Sequence, residues 1–554
     1  MGFVIAVAVG GFILAPATAG AATGNFGDLD PTWGGDGVVT TDGPAGASDG
    51  ARDLAILPSG KVLVAGTMQT TQGGSDFALA RYEANGDLDT TFGGGDGIVT
   101  TDIADGGAGS EDRALQMSVD GANDKIILAG YSSPASPGSD EDTAFVRYNA
   151  DGTLDAAFDG SSNGNGVVLL PVSNTLDDEV DAVTHDGTKI VAAGYVATLE
   201  TLSDYRSDIM VVKLNSDGTL DASFDGNGGN GNGIVTVSMS DAPNSFEGAF
   251  AVGILDDGTI MAAGDEYDDS TSTDTIPVIW LKDADGTLNT AYSDDGKTTT
   301  DAGGNAYAGD LVVTPDKATI TGIGTGGFSM VRYNQSDGSL DTAGFGPGTG
   351  IVTTPPSAFG PSVTSARSRA IARDGSGYVL AGYVSTPMGS DFAVAVYGGS
   401  GFLDSGFGGD GTITTSVFDT SGPSEIGTAV GTVSDDNVLT PDKVMVAGTV
   451  FRSNAHPGDF AILRHGPFVA NPKTTITRPK STTTDQTPTL KFRVSEDADS
   501  RCRVDKQEWI DPCLSPTTLS HLSRGKHVVR VQSTDMAGNL EPTPAKRSFK
   551  IVRR

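Results

Sequence analysis

The stretch KVLVAGTMQTTQGGSDFALARYEANGDLDTTFGGGDGIVTT, residues 61–101, holds three short patterns in a fixed order. KVLVAG (61–66) is apolar without alternation, as a strand must be when both of its faces are covered. DFALARY (76–82) is a second strand-like run, opened by an acid and ending on Arg-Tyr. LDTTFGGGDGIVTT (88–101) is turn chemistry ahead of a short third run: Gly tolerates positive φ, and Asp bonds its own backbone. Strands are therefore predicted near Val38–Thr41, Ala51–Leu57, Lys61–Gly66 and Phe77–Tyr82.

The three patterns recur along the chain. Relatives of KVLVAG are KIILAG, KIVAAG, TIMAAG, ATITG, YVLAG and KVMVAG, ending on Gly130, Gly194, Gly264, Gly322, Gly382 and Gly448. Their spacing runs from 58 residues (Gly264 to Gly322) to 70 (Gly194 to Gly264). The LD-x-x-F pattern begins at Leu29, Leu88, Leu154, Leu220, Leu288, Leu340 and Leu403. DFALARY returns as DTAFVRY, DIMVVKL, GFSMVRY, DFAVAVY and DFAILRH, with a degenerate copy around Ile276–Lys282. About four strands at this period suit propeller blades, whereas solenoid coils are shorter. The repeat stops at His465, one pattern short of a full unit, and the copy at Leu29 can fill that place. The expected fold is all-β: a seven-bladed β-propeller with four strands per blade, followed by a small β-sandwich.

This order of motifs resembles the bacterial delta-60 repeat family over residues 25–467. The resemblance implies a secreted or surface β-propeller-like module, and no established catalytic activity. The fourth unit departs most, with Asn289 and Tyr292 at its cap and no Asp–Arg strand pattern. Beyond the repeat, FRVSEDADSRCRVDKQEWIDPC and GKHVVRVQSTDMAGN resemble bacterial immunoglobulin-like modules, which serve as spacers or adhesive stalk units. That resemblance implies a β-sandwich, a Cys502–Cys513 bridge between adjacent strands, and Trp509 packed beside the bridge. In an exported chain a close cysteine pair also reads by itself as a disulfide rather than zinc ligands, although His521 and His527 lie nearby.

Residues 1–27 carry no charge, Phe3–Leu14 is apolar, and Ala17-Thr18-Ala19 and Ala19-Gly20-Ala21 fit small-residue cleavage sites. No Lys or Arg precedes the apolar run, which departs from the usual signal. The domain reading is a signal peptide at 1–22, the ring at 25–467, a linker at 468–476 and the immunoglobulin-like module at 477–554. No membrane span is expected after signal removal.

The net charge is −36, unevenly spread. From Thr474 onward there are 15 Lys plus Arg against 9 Asp plus Glu, leaving 20 against 62, or −42, for the rest. Such a body repels nucleic acid and anionic membranes. The partner expected is an extracellular ligand, glycan or protein.

Two acidic series and one basic series follow the repeat. Asp76, Asp142, Asp208, Asp391 and Asp459 open the DFALARY strands, and Arg81, Arg147, Lys213, Arg332 and Arg464 lie near their ends. Asp30, Asp89, Asp155, Asp221, Asp341 and Asp404 sit in the LD caps. Residues equivalent in every unit are expected to build the ring, through turn bonds and Asp–Arg pairs between neighbours. Function is expected where the repeat breaks, around Asp265–Trp280.

No catalytic residue is assigned. GASDG at Gly46 fits G-x-S-x-G but no helix follows it, and DGKT at Asp295 lacks the glycine of a phosphate loop. None of the five histidines sits at zinc-ligand spacing with another. No cofactor is expected unless calcium, for which GGDG at Gly34 and Gly408, DGNGGNGNG at Asp225 and DEYDDSTSTD at Asp265 offer oxygens without the EF-hand order. The functional expectation is a secreted or cell-surface, non-enzymatic binding or scaffold protein. The alternative is an extracellular hydrolase or lyase acting on glycans or esters at the central channel. It requires carboxylates or histidines from one or two units only.

Overall fold

The computed structural model describes residues 27–553 apart from 44, 72, 104–108, 122–123, 135–139, 160–163, 174–175, 202–203, 227–230, 241–244, 269–272, 304–305, 325, 376, 419–423, 434–442, 454–455, 467–473, 495–497, 511 and 536–542. The expected signal peptide lies outside the described residues. The chain divides into two compact units, one of residues 26–436 and 441–467, the other including 468–554.

The larger unit is a succession of four-stranded antiparallel meanders. The first is Gly50–Ile56, Val62–Gln69, Ser75–Tyr82 and Ile98–Thr101. The second begins at Glu111–Asp120, the third at Asp178–His185, the fourth at Phe246–Ile254, the fifth at Tyr307–Thr314 and the sixth at Ser365–Asp374. The last consists of Glu425–Val433, Lys443–Ser453 and His456–His465, and its fourth strand is Val38–Thr41 from the other end of the chain. Val39 pairs with Ile462 and Thr41 with Phe460 in that join. The degenerate fourth unit still forms its third strand, Thr273–Leu281.

The cores lie between meanders. Leu63, Phe77 and Leu79 of the first pack with Ile126, Leu128 and Val146 of the second. The same layering continues through the succeeding pairs. It then returns: Val64, Ala78 and Tyr82 of the first meander share a core with Met445, Ala447, Phe460 and Ile462 of the last. A strand buried between two neighbours has no polar face, which is why VLVA in the second strand is at most 1% exposed. The sheets are propeller-like, and each meander is roofed on both sides by others.

In the smaller unit, Thr474–Arg478, Thr489–Val494 and Thr517–Thr518 form one sheet. Thr482–Thr483, Ala545–Ile551, Gly525–Asp535 and Ala498–Val504 form another. Cys502 and Cys513 are disulfide-bonded with Cα atoms 5.6 Å apart. Three sequence expectations need correction here. The first strand starts at Thr474, inside the segment read as linker. Cys513 lies outside the strands, tied to the sheet by its N–H donating to Ser500 O at 2.6 Å. Trp509 does not pack in a core beside the bridge. It is half-buried at the surface, where Arg501 and Arg503 stand 4.9 and 4.5 Å from its ring centre.

Candidate functional site

The repeated charges form a node in most meanders. Arg81 Nε and Lys61 Nζ both donate to Asp89 Oδ2 at 2.6 Å, and Asp89 is fully buried. Asp89 Oδ1 meanwhile accepts from the Thr91 N–H at 2.9 Å, fixing the cap turn. The Arg81 guanidinium lies 4.4 Å over Phe92 and donates to Ala150 O of the second meander. Arg147 with Asp155 and Lys125 repeats the pattern and reaches Ser216 O of the third. Lys213 is 3.7 Å from Asp221 and reaches Asp283 of the fourth meander at 2.5 Å. Arg332 pairs with Asp341, and Arg464 with Asp30. At the four arginines the ion pair is thus internal to a meander and the remaining donors make the tie to the next one, whereas Lys213 makes its shorter ion pair across the seam, to Asp283. That refines the expected Asp–Arg bridge between units.

The exceptions are chemically consistent. In the fourth meander the Lys, Arg and Asp positions hold Thr259, Trp280 and Asn289, all neutral. Trp280 stacks on Tyr292 at 5.5 Å where Arg81 covers Phe92, and Asn289 Nδ2 donates to Thr259 Oγ1 at 2.9 Å. In the sixth meander Val396 replaces the arginine, and Asp404 is exposed. At this cap position the carboxylate is buried where its cations are kept and exposed in the sixth meander, where the arginine is lost. Burial alone would raise Asp30, yet bonds from Thr32 and Lys443 and the charge of Arg464 hold it at about 2.

Asp76, Asp142 and Asp208 do not join these nodes. They face other acids at the seams. Asp76, Asp102 and Asp112 bring carboxylate oxygens within 4.8 Å of one another, as do Asp42, Asp49 and Asp459. Burial, then the charges of Asp102 and Asp112, push Asp76 up to about 6. Burial and acidic neighbours likewise raise Asp49 and Asp142 to about 6, and Glu247 and Glu425 to about 7. Among the described residues, these seams are where oxygen ligands for a cation converge. The GGDG loops spend their acids on backbone: Asp36 on Val38 N and Asp410 on Thr412 N, each at 3.0 Å. Parts of the Asp225 and Asp265 loops lie outside the described residues.

A pH dependence follows from the seams. Their folded pKa values exceed the unfolded values near 4, so this stabilisation is complete below about pH 4 and is lost as pH rises through 6 to 7. Asp30 and Asp221, held at about 2, act oppositely and lose their contribution as pH falls below about 4. The melting temperature of the ring is therefore expected to peak near about pH 4–5 and to be lower at about pH 8. A calorimetric pH series checks this, and a flat or rising profile between those values would contradict it.

The first strand of each meander carries a β-bulge at the same place. The register shifts lie between Ala51 and Asp53, Ala114 and Gln116, Val180 and Ala182, Ala249 and Ala251, Ala308 and Asp310, Ser368 and Ala370, and Gly427 and Ala429. The bulged residues are Arg52, Leu115, Asp181, Phe250, Gly309, Arg369 and Thr428, and every one of them lines a single cavity of about 360 Å³. Bulges of this kind re-aim a side chain. They also explain the glycine that ends KVLVAG. At Gly66 a Cβ would stand 2.1 Å from Gly50 O, and at Gly264 1.7 Å from Gly248 O. The bulge drives the first strand's carbonyl into that space.

This lumen holds the chemistry that does not repeat. Asp181 Oδ2, Asp265 Oδ1 and Arg369 Nε are buried without a hydrogen-bond partner among the described residues. Enclosure, then the charges of Arg369 and Arg113, lower the pKa of Arg52, against Asp181. Burial pushes Asp181 up despite Arg52, and burial with Asp181 and Glu141 pushes Glu179 up. Asp265 is raised to about 7 by burial and then Asp274. Two further cavities share its lining: one of about 320 Å³ through Arg52 and Thr428, one of about 280 Å³ through Phe250 and Asp265. Of the segment where the repeat breaks, Asp265 faces the lumen, Trp280 is 1% exposed in the core, and 269–272 lie outside the described residues.

One other constellation invites a catalytic reading. Ser118 Oγ is 2.7 Å from His185 Nδ1, and His185 Nε2 is 3.8 Å from Asp120 Oδ1. None of the three residues lines these cavities. The bond joins the first strands of the second and third meanders, as Asp53 does by accepting from Met117 N–H at 2.8 Å.

Comparison with known proteins finds propeller-like relatives. A family model described as a domain of unknown function, DUF5122 β-propeller, matches residues 57–92, 121–158 and 189–224. The fold also resembles the polysaccharide lyase Uly1, at 11% identity and TM-score 0.38 over 77% of this chain and 91% of that one. The β-propeller domain of the Trilobed protease from Pyrococcus furiosus is similar at 7% identity and TM-score 0.33, over 76% and 98%. The Pseudomonas aeruginosa periplasmic gluconolactonase PpgL is similar at 11% identity and TM-score 0.29, over 88% and 96%. No curated relative matches the chain in sequence. Among the described residues no helix is long and apolar enough to cross a membrane.

Proposed function

We propose that the chain is an exported, seven-bladed propeller of the delta-60 type that binds a small ligand in its central lumen, with a C-terminal immunoglobulin-like sandwich as stalk. The observation that carries this reading is the bulge series. Its backbone geometry repeats in every meander, while its side chains are arginine, leucine, aspartate, phenylalanine, glycine, arginine and threonine. A position that only built the ring would repeat its chemistry, as the Lys–Asp–Arg nodes do. A rigid wall with a few convergent polar groups is the usual form of a binding pocket.

The test uses the full chain in a screen of soluble glycans and cell-wall fragments, beside Leu115→Trp, which fills the lumen. Binding by the wild type that is lost in the variant at an unchanged melting temperature is expected. Binding retained by the variant, or none by the wild type, would count against the lumen. A second reading, hydrolysis or lysis at the same place, is favoured by Asp181 and Asp265. These are carboxylates of two meanders only, both lining the cavity and both raised by burial. Under it Asp181→Asn abolishes turnover.

A further inference from the structure

We propose that the ligand of this lumen is a sugar acid, its carboxylate held by Arg52 and Arg369 and its hydroxyls by Asp181 and Asp265. The inference rests on the lumen being a binding site and specifies what enters it. Neither Arg52 nor Arg369 takes part in an ion pair among the described residues, although each lines the cavity. Arg369 Nε is buried without a partner, and its guanidinium and that of Arg52 repel across one small space. A carboxylate matches the planar fork of guanidinium donors and removes that repulsion.

The acids select the rest of the ligand. Asp181 Oδ2 and Asp265 Oδ1 are buried acceptors without donors, on the third and fourth meanders. Hydroxyl groups supply donors to such oxygens whether the acids are ionised or not. An inorganic phosphate brings few donors and more negative charge, so it satisfies the arginines and opposes the acids. An ammonium ligand would face Arg52 and Arg369 together, while burial has already moved the acids toward neutrality. Phe250 and Tyr307, edge to face at 6.2 Å, give an apolar wall for the C–H faces of a pyranose. About 360 Å³ admits a sugar of one or two rings.

The test is calorimetric titration of the full chain with D-glucuronate, D-galacturonate, D-glucose and inorganic phosphate. Arg52→Gln, Arg369→Gln, Arg369→Lys and the distant Arg493→Gln are titrated beside it. One uronate is expected to bind, D-glucose at least about tenfold more weakly, and each Arg→Gln variant to lose about tenfold or more. Arg369→Lys should keep part of that loss, and Arg493→Gln none. Leu115→Trp should abolish binding, a readout independent of whether the arginine variants fold. Equal affinity for D-glucose, with the arginine variants unaffected, would overturn the sugar acid and leave the lumen as a site. Phosphate binding more tightly than either uronate would make this a simple anion site and also overturn it. No uronate bound, alongside a glycan that Leu115→Trp rejects, refutes the sugar acid alone. Neither uronate nor glycan bound refutes both.

Discussion

Asp89→Ala is expected to destabilise the ring by about 3–5 kcal/mol, the scale for removing one partner of a buried ion pair. Asp89 is fully buried and accepts from Lys61, Arg81 and the cap backbone at once. Its loss leaves Arg81 beside Phe92 and Lys61 with only Glu83, an exposed acid 2.9 Å away. Asp404→Ala is the control, because that cap acid is exposed, Val396 stands at the arginine position, and only the Gly406 N–H bond is lost; it should change stability by no more than about 1 kcal/mol. The fourth meander supplies a sharper test. Lys61→Thr, Arg81→Trp and Asp89→Asn together transplant its neutral node, and the triple variant should lose less than Asp89→Ala alone. Urea unfolding of the four proteins measures this. Additive losses would mean that the three residues do not act as a unit.

Removing residues 1–41 is expected to have the second large effect. Val38–Thr41 is the edge strand of the last meander, and Asp30 is the carboxylate of its node, 2.9 Å from both Lys443 and Arg464. Tyr82 of the first meander also donates to Thr41 at 2.8 Å across the seam. Without this segment Phe460 and Ile462 lose their partners, Lys443 and Arg464 lose their counter-charge, and an apolar sheet edge is left open. An open edge is a template for aggregation. The truncated chain should be insoluble, or monomeric only with a ring transition well below that of the full chain, in size exclusion and calorimetry. A soluble monomer melting at the same temperature would contradict closure.

The meanders were legible because each pattern has a physical cause that repeats. VLVA must be apolar on both faces, and the cap needs Asp and Gly for its turn. The closing strand was legible from the order of patterns, with the LD cap at Leu29 standing where the last unit lacked one. The lumen was not legible, because the bulged strand has no shared motif: ARD, ALQ, VDA, AFA, AGD, SRA and GTA share the bulge and not its side chain. One signal was available. The glycine ending KVLVAG lies opposite Ala51 in the register, and the bulge follows that partner directly. The repeat break at Asp265–Trp280 mixed two effects, a lumen-facing Asp265 and a neutral core node at Trp280. Trp509 was misplaced because the resemblance supplied its role. Arg501 and Arg503, alternate residues of one strand, point to one face and hold the ring between them at the surface.

The closed ring is tested most directly by a cross-link over its seam. Val39 and Ile462 are cross-strand partners in the register of the first and last repeat strands. In Val39→Cys/Ile462→Cys, mild oxidation of the full chain should form an intramolecular disulfide. A single protease nick in the ring should then yield fragments that separate only under reduction, beyond what the Cys502–Cys513 bond retains. Free thiols at both positions in the folded monomer, or bonds only between molecules, would contradict the closed ring.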